Sequence, residues 1–368
     1  MIDGCSGKPA EQKTAMNAEL INFAARIERA ITEHDFESAF DDLALELFHL
    51  QVRHNPAYRR IVEAKGLIPN KIRHWPDVPF VPTAAFKELE LSCLPQEERT
   101  DVFHSSGTTE QRPSRHFHCR ESLSLYEKSL WIGFEKNVIG RSENYDLLVL
   151  TPPPRLAPFS SLVHMFETVR QRLAEPESTF VGELDTMGVW AIHLDATLAA
   201  LRNARGPKLI LGTAFSFVHL LDFLAEKELR VQLPEGSRVM ETGGYKNRSR
   251  AMPKTELHSL ITQFLGVPRE QIICEYGMSE LSSQAYDSAN RGRHFQFSPW
   301  ARVQIISTET GREVEDGETG LVRVFDLANV FSVAAIQTED LAARRGHGFD
   351  LIGRATLAEP RGCSLMTA

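Results

Sequence analysis

Cysteine is scarce and scattered. The 368 residues hold five thiols, Cys5, Cys93, Cys119, Cys274 and Cys363, an odd number with no CxxC pair. That pattern excludes a disulfide framework and a zinc ribbon, and it predicts a reducing, cytoplasmic setting. Long apolar runs are missing too: no stretch of about 18 apolar residues is present to cross a bilayer. Met1 to Lys13 is polar, without the apolar centre of a secretory or lipoprotein signal. Positive charge is in deficit, 41 Lys+Arg against 49 Asp+Glu, for a net charge of −8. A nucleic-acid binder needs a basic face, so that class is disfavoured. Internal repeats and low-complexity tracts are absent as well. What remains is 42% hydrophobic and 24% charged, an ordinary globular composition with material for a large core and no need of staples. The length suits two or three domains or one large α/β unit.

Leu20, Ile21, Phe23, Ala24, Ile27, Ala30 and Ile31 recur at helical spacing. A second amphipathic stretch runs from Phe40 to Leu50 and continues to about Lys65. Pro69, Pro76, Pro79, Pro82 and Pro95 then predict an extended connector with one short helix near Ala84–Leu89. From there strands alternate with helices. Leu147–Leu150 is an apolar run stopped by Pro152. Lys208–Leu211 leads through Gly212, read as a loop residue, into a helix with Phe217, Leu220, Leu221 and Leu224. Arg238–Met240 ends near Gly243–Gly244 before a helix over Pro253–Leu265, and Gln271–Cys274 runs into Glu275–Glu280. Strand, glycine-bearing loop and helix in repetition predict an α/β sheet with its site at the strand C-termini. Beyond Phe295, Val303–Ile306 and Leu321–Phe325 flank turn residues and predict a hairpin in a smaller β subdomain. The expected division is a helical segment and connector over 1–95, an α/β core over 96–295, a β-rich subdomain over 296–354 and a tail over 355–368.

Four strings carry chemistry. In His104-Ser105-Ser106-Gly107-Thr108-Thr109, hydroxyls surround one glycine, and Arg112 and Arg115 follow. Gly107 permits a tight curve whose amides converge on anionic oxygens, and an arginine adds charge to a phosphate. The GxxxxGK[ST] order is lacking, so this is no P-loop NTPase. In the second string, an apolar strand delivers Tyr276, Gly277, Met278, Ser279 and Glu280; Glu280 offers a hard oxygen to Mg²⁺ and Ser279 a hydroxyl to phosphate. Gly277 and Ser279 suggest a nucleophile elbow, but Leu281 stands where the closing glycine belongs. The third is Glu241 to Lys246, where Gly243 and Gly244 let backbone approach a flat ring on which Tyr245 can stack. The fourth joins Asp340, an acceptor for two ribose hydroxyls, to Gly353 and Arg354. Taken singly, each is as readily a solvated loop. His116, His118 and Cys119 suggest a metal cluster, yet in a strand the two histidines share one face while Cys119 points away, and no fourth ligand has zinc spacing.

In order, these strings resemble the acyl-adenylate-forming superfamily, which includes acyl-CoA synthetases and peptide-synthetase adenylation domains. Within it, the stretch from His104 to His116 and the ending Arg361-Gly362-Cys363-Ser364-Leu365 resemble the acyl-protein synthetases, the synthetase component of bacterial fatty-acid reductase. The likeness spans about Ala18 to Leu365. It implies the superfamily's large N-terminal domain, layered α/β sheets with a small β subdomain. It also implies an ATP site: Ser105, Ser106, Gly107, Thr108, Thr109 and Arg115 at the phosphates, and Gly243, Gly244 and Tyr245 at the adenine. Tyr276, Gly277, Met278 and Ser279 belong to that site, Asp340 to the ribose, and Glu280 and Arg354 act in catalysis, Glu280 holding Mg²⁺. Glu110 stands where glycine is usual in the superfamily, and Pro113-Ser114-Arg115 where many members have lysine.

Only Ala355 to Ala368 follow Arg354, where relatives that make CoA thioesters continue into a small lysine-bearing domain. The resemblance therefore implies a fatty or other carboxylic acid substrate, Cys363 as the acyl-accepting thiol and an acyl-reductase partner. Cys93, Cys119 and Cys274 read as strand or core thiols. His164, Trp190 and His193 read as core residues near the acyl site. Two alternatives stay open: a carboxylate–CoA ligase of the phenylacetate type, and a non-catalytic adenylation-like binding subunit.

Overall fold

The computed structural model describes residues 9–33, 36–105, 112–140, 144–176, 179–186, 188–243, 252–289 and 292–355, with side chains from residue 18 onward. The N-terminal part holds α1 (Pro9–Glu33), α2 (Phe40–His54), α3 (Pro56–Ala64), β1 (Val81–Pro82) and α4 (Ala85–Glu88). The middle holds β2 (Asp101–His104), β3 (Arg115–His118), α5 (Arg120–Phe134), β4 (Asp146–Val149), α6 (Ser161–Arg172), β5 (Gly182–Leu184), β6 (Trp190–Ile192) and α7 (Leu194–Arg202). It continues through β7 (Lys208–Thr213), α8 (Ala214–Glu226), β8 (Arg238–Thr242), α9 (Lys254–Leu265), β9 (Ile272–Tyr276), β10 (Ala285–Tyr286) and β11 (Gln296–Phe297). The chain then forms β12 (Ala301–Ile306), β13 (Thr319–Asp326), β14 (Ala335–Arg345) and β15 (Gly348–Arg354).

Strands β4, β7, β8 and β9 run parallel, and β10 and β11 extend that sheet antiparallel, in the order β11-β10-β9-β8-β7-β4. The middles of the parallel strands are apolar because helices cover both faces. Leu148, Ile210, Val239 and Ile272 pack with Phe217, Leu221, Leu257 and Ile261 of α8 and α9. Their neighbours in sequence, Leu147, Val149, Leu209, Leu211, Met240 and Ile273, turn to the other side and meet Leu130, Phe134, Phe166 and Val169 of α5 and α6.

Gly212 belongs to β7 itself, a correction to its reading as a loop residue. A side chain there would press on Leu150 and Phe217 at 3.0–3.2 Å, so the strand needs glycine for close packing. The turn into α8 is made by Thr213, whose hydroxyl caps the amide of Ser216 at 3.0 Å. The helical pattern running to Lys65 is likewise two helices: Asn55 is extended, its side chain caps Tyr58 at 3.0 Å, and Pro56 opens α3. Proline lacks the N–H that would continue α2 and holds its predecessor out of the helical region.

The second sheet has the order β1-β14-β13-β12, with β15 alongside β1 on the free edge of β14. Val81 and Pro82 from the N-terminal connector thus lie parallel to Ile336 and Gln337. One continuous core joins Phe23, Ile27, Phe40 and Phe48 of the first helices to Val322, Val324, Phe325 and Ile336 of this sheet. Gln51 of α2 donates to the carbonyls of Asn329 and Val330 at 2.8 and 3.1 Å and accepts from the amide of Ala334 at 2.9 Å.

Candidate active site

Two pieces of backbone meet beyond the C-terminal end of β9: the turn after that strand and the neck of the β2–β3 hairpin. In that hairpin His104 pairs with Arg115. One residue further, the Ser105 amide donates to the Ser114 carbonyl at 3.3 Å, and the Ser114 amide to the Ser105 hydroxyl at 3.0 Å. The loop residues Ser106, Gly107, Thr108 and Thr109 lie outside the described residues, as do Gly244, Tyr245 and Cys363.

Strand alternation places Ser114 and His116 on one face of β3 and Arg115 on the other. The Ser114 hydroxyl donates to Glu280 Oε1 at 2.5 Å, and Ser279 Oγ donates to Oε2 at 3.1 Å. His116 Nδ1 donates to the Ser279 carbonyl at 2.5 Å, and Asn329 Nδ2 donates to the Glu280 carbonyl at 2.9 Å. Glu280 is buried and held at both ends, by hydroxyls on its carboxylate and an amide on its backbone. Burial drives His116 down to about 4, so the ring is neutral. Arg115 is not brought to this cluster: it pairs with Glu90 at 3.3 Å, a carboxylate that also takes Arg99 at 2.9 Å.

Tyr276, the last residue of β9, is buried with its ring edge-on to Phe349, centroids 5.3 Å apart. Its hydroxyl donates to Asp340 Oδ2 at 2.8 Å. Asp340 and Arg354 face each other across β14 and β15, with Arg354 Nε 3.6 Å from Oδ1. Burial raises the Asp340 carboxyl, while Tyr276 and the Arg354 charge act against that rise. Arg354 is otherwise exposed, and Met278 packs half-buried on the core.

Gly277 packs closely on Glu275. A Cβ at 277 would collide with the Glu275 carboxylate, which also takes the Thr242 hydroxyl. Gly243 ends β8 with φ +75°, a left-handed turn that leaves open space above it. Glu241, quoted in the third string, points to the opposite face and meets His258 Nε2 at 3.1 Å. Burial pushes both Glu241 and Glu275 up to about 7.

The remaining candidates sort by contact. Cys93, Cys119 and Cys274 are buried free thiols. His118 is buried, with Nδ1 on Ser122 Oγ at 3.1 Å. His164 and Trp190 are half-buried and His193 is exposed, so none is core, and His164 pairs with Glu127 at 2.9 Å. Among the described residues no cluster of three or more His, Cys, Asp or Glu stands ready to hold a metal. Glu280 with two hydroxyls is nonetheless an all-oxygen set, which fits Mg²⁺ when phosphate oxygens and water complete its shell. Sequence reasoning missed Asn329 and Glu275. Glu275 sits beside a quoted motif and was legible as a carboxylate in a buried strand; Asn329 had no local signal.

A family model described as acyl-protein synthetase, LuxE, matches residues 17–368. The chain is 21% identical over 341 residues to a long-chain-fatty-acid–luciferin-component ligase of Aliivibrio fischeri, covering 89% of this chain and 87% of that one. A ligase of the same description from Vibrio harveyi is 21% identical over 330 residues, covering 86% and 84%. Among solved structures, a 2-hydroxyisobutyryl-CoA ligase in the postadenylation state with 2-HIB-AMP superposes with a TM-score of 0.64 at 17% identity, over 86% of this chain and 67% of that one. An open conformation of that ligase with 2-HIB-AMP and CoA gives 0.63 at 16% identity, over 86% and 69%. At these identities the superpositions establish the fold, that of the acyl-adenylate-forming ligases.

Proposed function

The chain belongs to the LuxE acyl-protein synthetase family and is an acyl-activating ligase, and we propose that it adenylates a long-chain fatty acid and passes the acyl group to its own Cys363. The observation that carries the reading is the convergence of Ser105, Ser114, Tyr276, Glu280, Asp340 and Arg354 from four separated stretches of sequence.

In the first half-reaction a fatty carboxylate oxygen attacks the α-phosphorus of ATP. The bond to the β-phosphate oxygen breaks, pyrophosphate leaves, and acyl-AMP remains. Asp340, oriented by the Tyr276 hydroxyl, accepts from the ribose hydroxyls, and Arg354 beside it faces the nucleotide. Glu280 would hold Mg²⁺, which supplies charge neutralisation at the phosphate oxygens. Neutral His116 keeps the Ser279–Glu280 backbone in place without adding charge. In the second half-reaction the Cys363 thiolate attacks the acyl carbon, AMP departs, and a thioester forms. A partner acyl reductase would then consume the thioester in a cytoplasmic complex.

Incubation with ATP, Mg²⁺ and labelled myristate is expected to put a hydroxylamine-labile label on the parent chain. Cys363→Ser is expected to take no label while retaining myristate-dependent pyrophosphate exchange. Equal labelling of the variant would remove Cys363 from the mechanism. AMP release that requires CoA, with no acyl group on the protein, would favour a CoA ligase.

A further inference from the structure

We infer that Ser114 is a positioning residue for the divalent cation, setting the orientation of the Glu280 carboxylate; the inference rests on the adenylation reading above.

Ser114 lies at the neck of the β2–β3 hairpin, where its backbone is fixed on both sides. Its amide donates to Ser105 Oγ and its carbonyl accepts from the Ser105 amide. Two residues on, His116 fixes the same face of β3 to the Ser279 carbonyl. Between these anchors the Ser114 side chain has relative exposure of 1%, and its hydroxyl oxygen is 2.5 Å from Glu280 Oε1. The hydroxyl donates and the carboxylate oxygen accepts, so the serine proton points at Glu280.

That direction has two consequences. The Ser114 oxygen, its proton committed to Glu280, is left with acceptor capacity of its own. The carboxylate loses rotational freedom, because Ser279 Oγ holds Oε2 while Ser114 holds Oε1. Each carboxylate oxygen retains a lone pair after accepting one hydrogen bond, so Glu280 stays competent to bind a cation while its plane is set in advance. Ligands whose neighbours hold them in orientation bind metal more tightly, and loss of such a neighbour typically costs about 10- to 100-fold in affinity.

The test is ATP affinity of the full chain by calorimetry, once with Mg²⁺ and once with EDTA, for the parent and Ser114→Ala. The expected result is a loss of about 10-fold with Mg²⁺ and no change with EDTA. Melting curves without ligand show whether the variant folds. An equal loss under both conditions would make Ser114 merely structural, and unchanged affinity with Mg²⁺ would remove it from the cation site; either result overturns the inference. A parent chain that binds no ATP at all would overturn the adenylation reading, and this inference with it.

Discussion

Glu275 occupies a site where few carboxylates survive. It lies in the central parallel sheet, with Thr242 as its hydroxyl partner and glycine at 277 to make room for it. Burial raises its pKa to about 7, so folding is linked to its protonation. A carboxyl raised in this way contributes its stability in full below its unfolded pKa of about 4.3, and the contribution is lost as pH rises through about 7. His116, lowered to about 4, has the opposite sign: its contribution is complete above about 6.5 and is lost as pH falls towards about 4. Glu275→Gln is therefore expected to shrink the loss of stability between about pH 5 and pH 8, by up to about 3 kcal/mol. Urea titrations at the two pH values check this, and an unchanged difference would contradict it. Glu241, also raised to about 7, remains in the variant and keeps part of the slope.

The strands of the parallel sheet were legible because each carries a short apolar run filling both faces and is bounded by proline or glycine. Strands β14 and β15 were not. Thr338, Glu339, Asp340, Arg344 and Arg345 interrupt the apolar alternation of β14, since this strand turns from the core at Ile336 towards the site at Asp340. Glycine also misled at this scale. At Gly212 the residue marks close approach of Leu150 and Phe217 rather than a turn. Gly212→Val is expected to lower stability by about 1–3 kcal/mol through overpacking, read as a lower urea midpoint with an unchanged slope. A stability equal to the parent's would show that β7 and α8 have slack. The α2–α3 break was readable in principle, from Asn55 before Pro56, yet apolar periodicity continues across it because both helices bury the same side against one core.

Across the molecule, the first helices and the last sheet form one core, with Gln51 bonded to three backbone groups of the 329–334 turn. That turn also carries Asn329, which holds the Glu280 carbonyl. Gln51→Ala is expected to cost about 2–3 kcal/mol by leaving buried polar groups unpaired. It is also expected to slow pyrophosphate exchange under conditions where the variant remains folded. Denaturation and exchange measured together check this; lost stability with full activity would uncouple the turn from the site. By itself the sequence determined the α/β class, the order of the motifs along the chain and the residue types proposed to meet ATP, because these depend on local periodicity and on chemistry carried within short strings. The tertiary structure alone decided that Ser114 rather than Arg115 meets Glu280, that Tyr276 orients Asp340, and that Asn329 holds the Glu280 carbonyl. These partners are far apart in the chain, and only the packing of the β2–β3 hairpin and the 329–334 turn against the two sheets brings them within hydrogen-bonding distance.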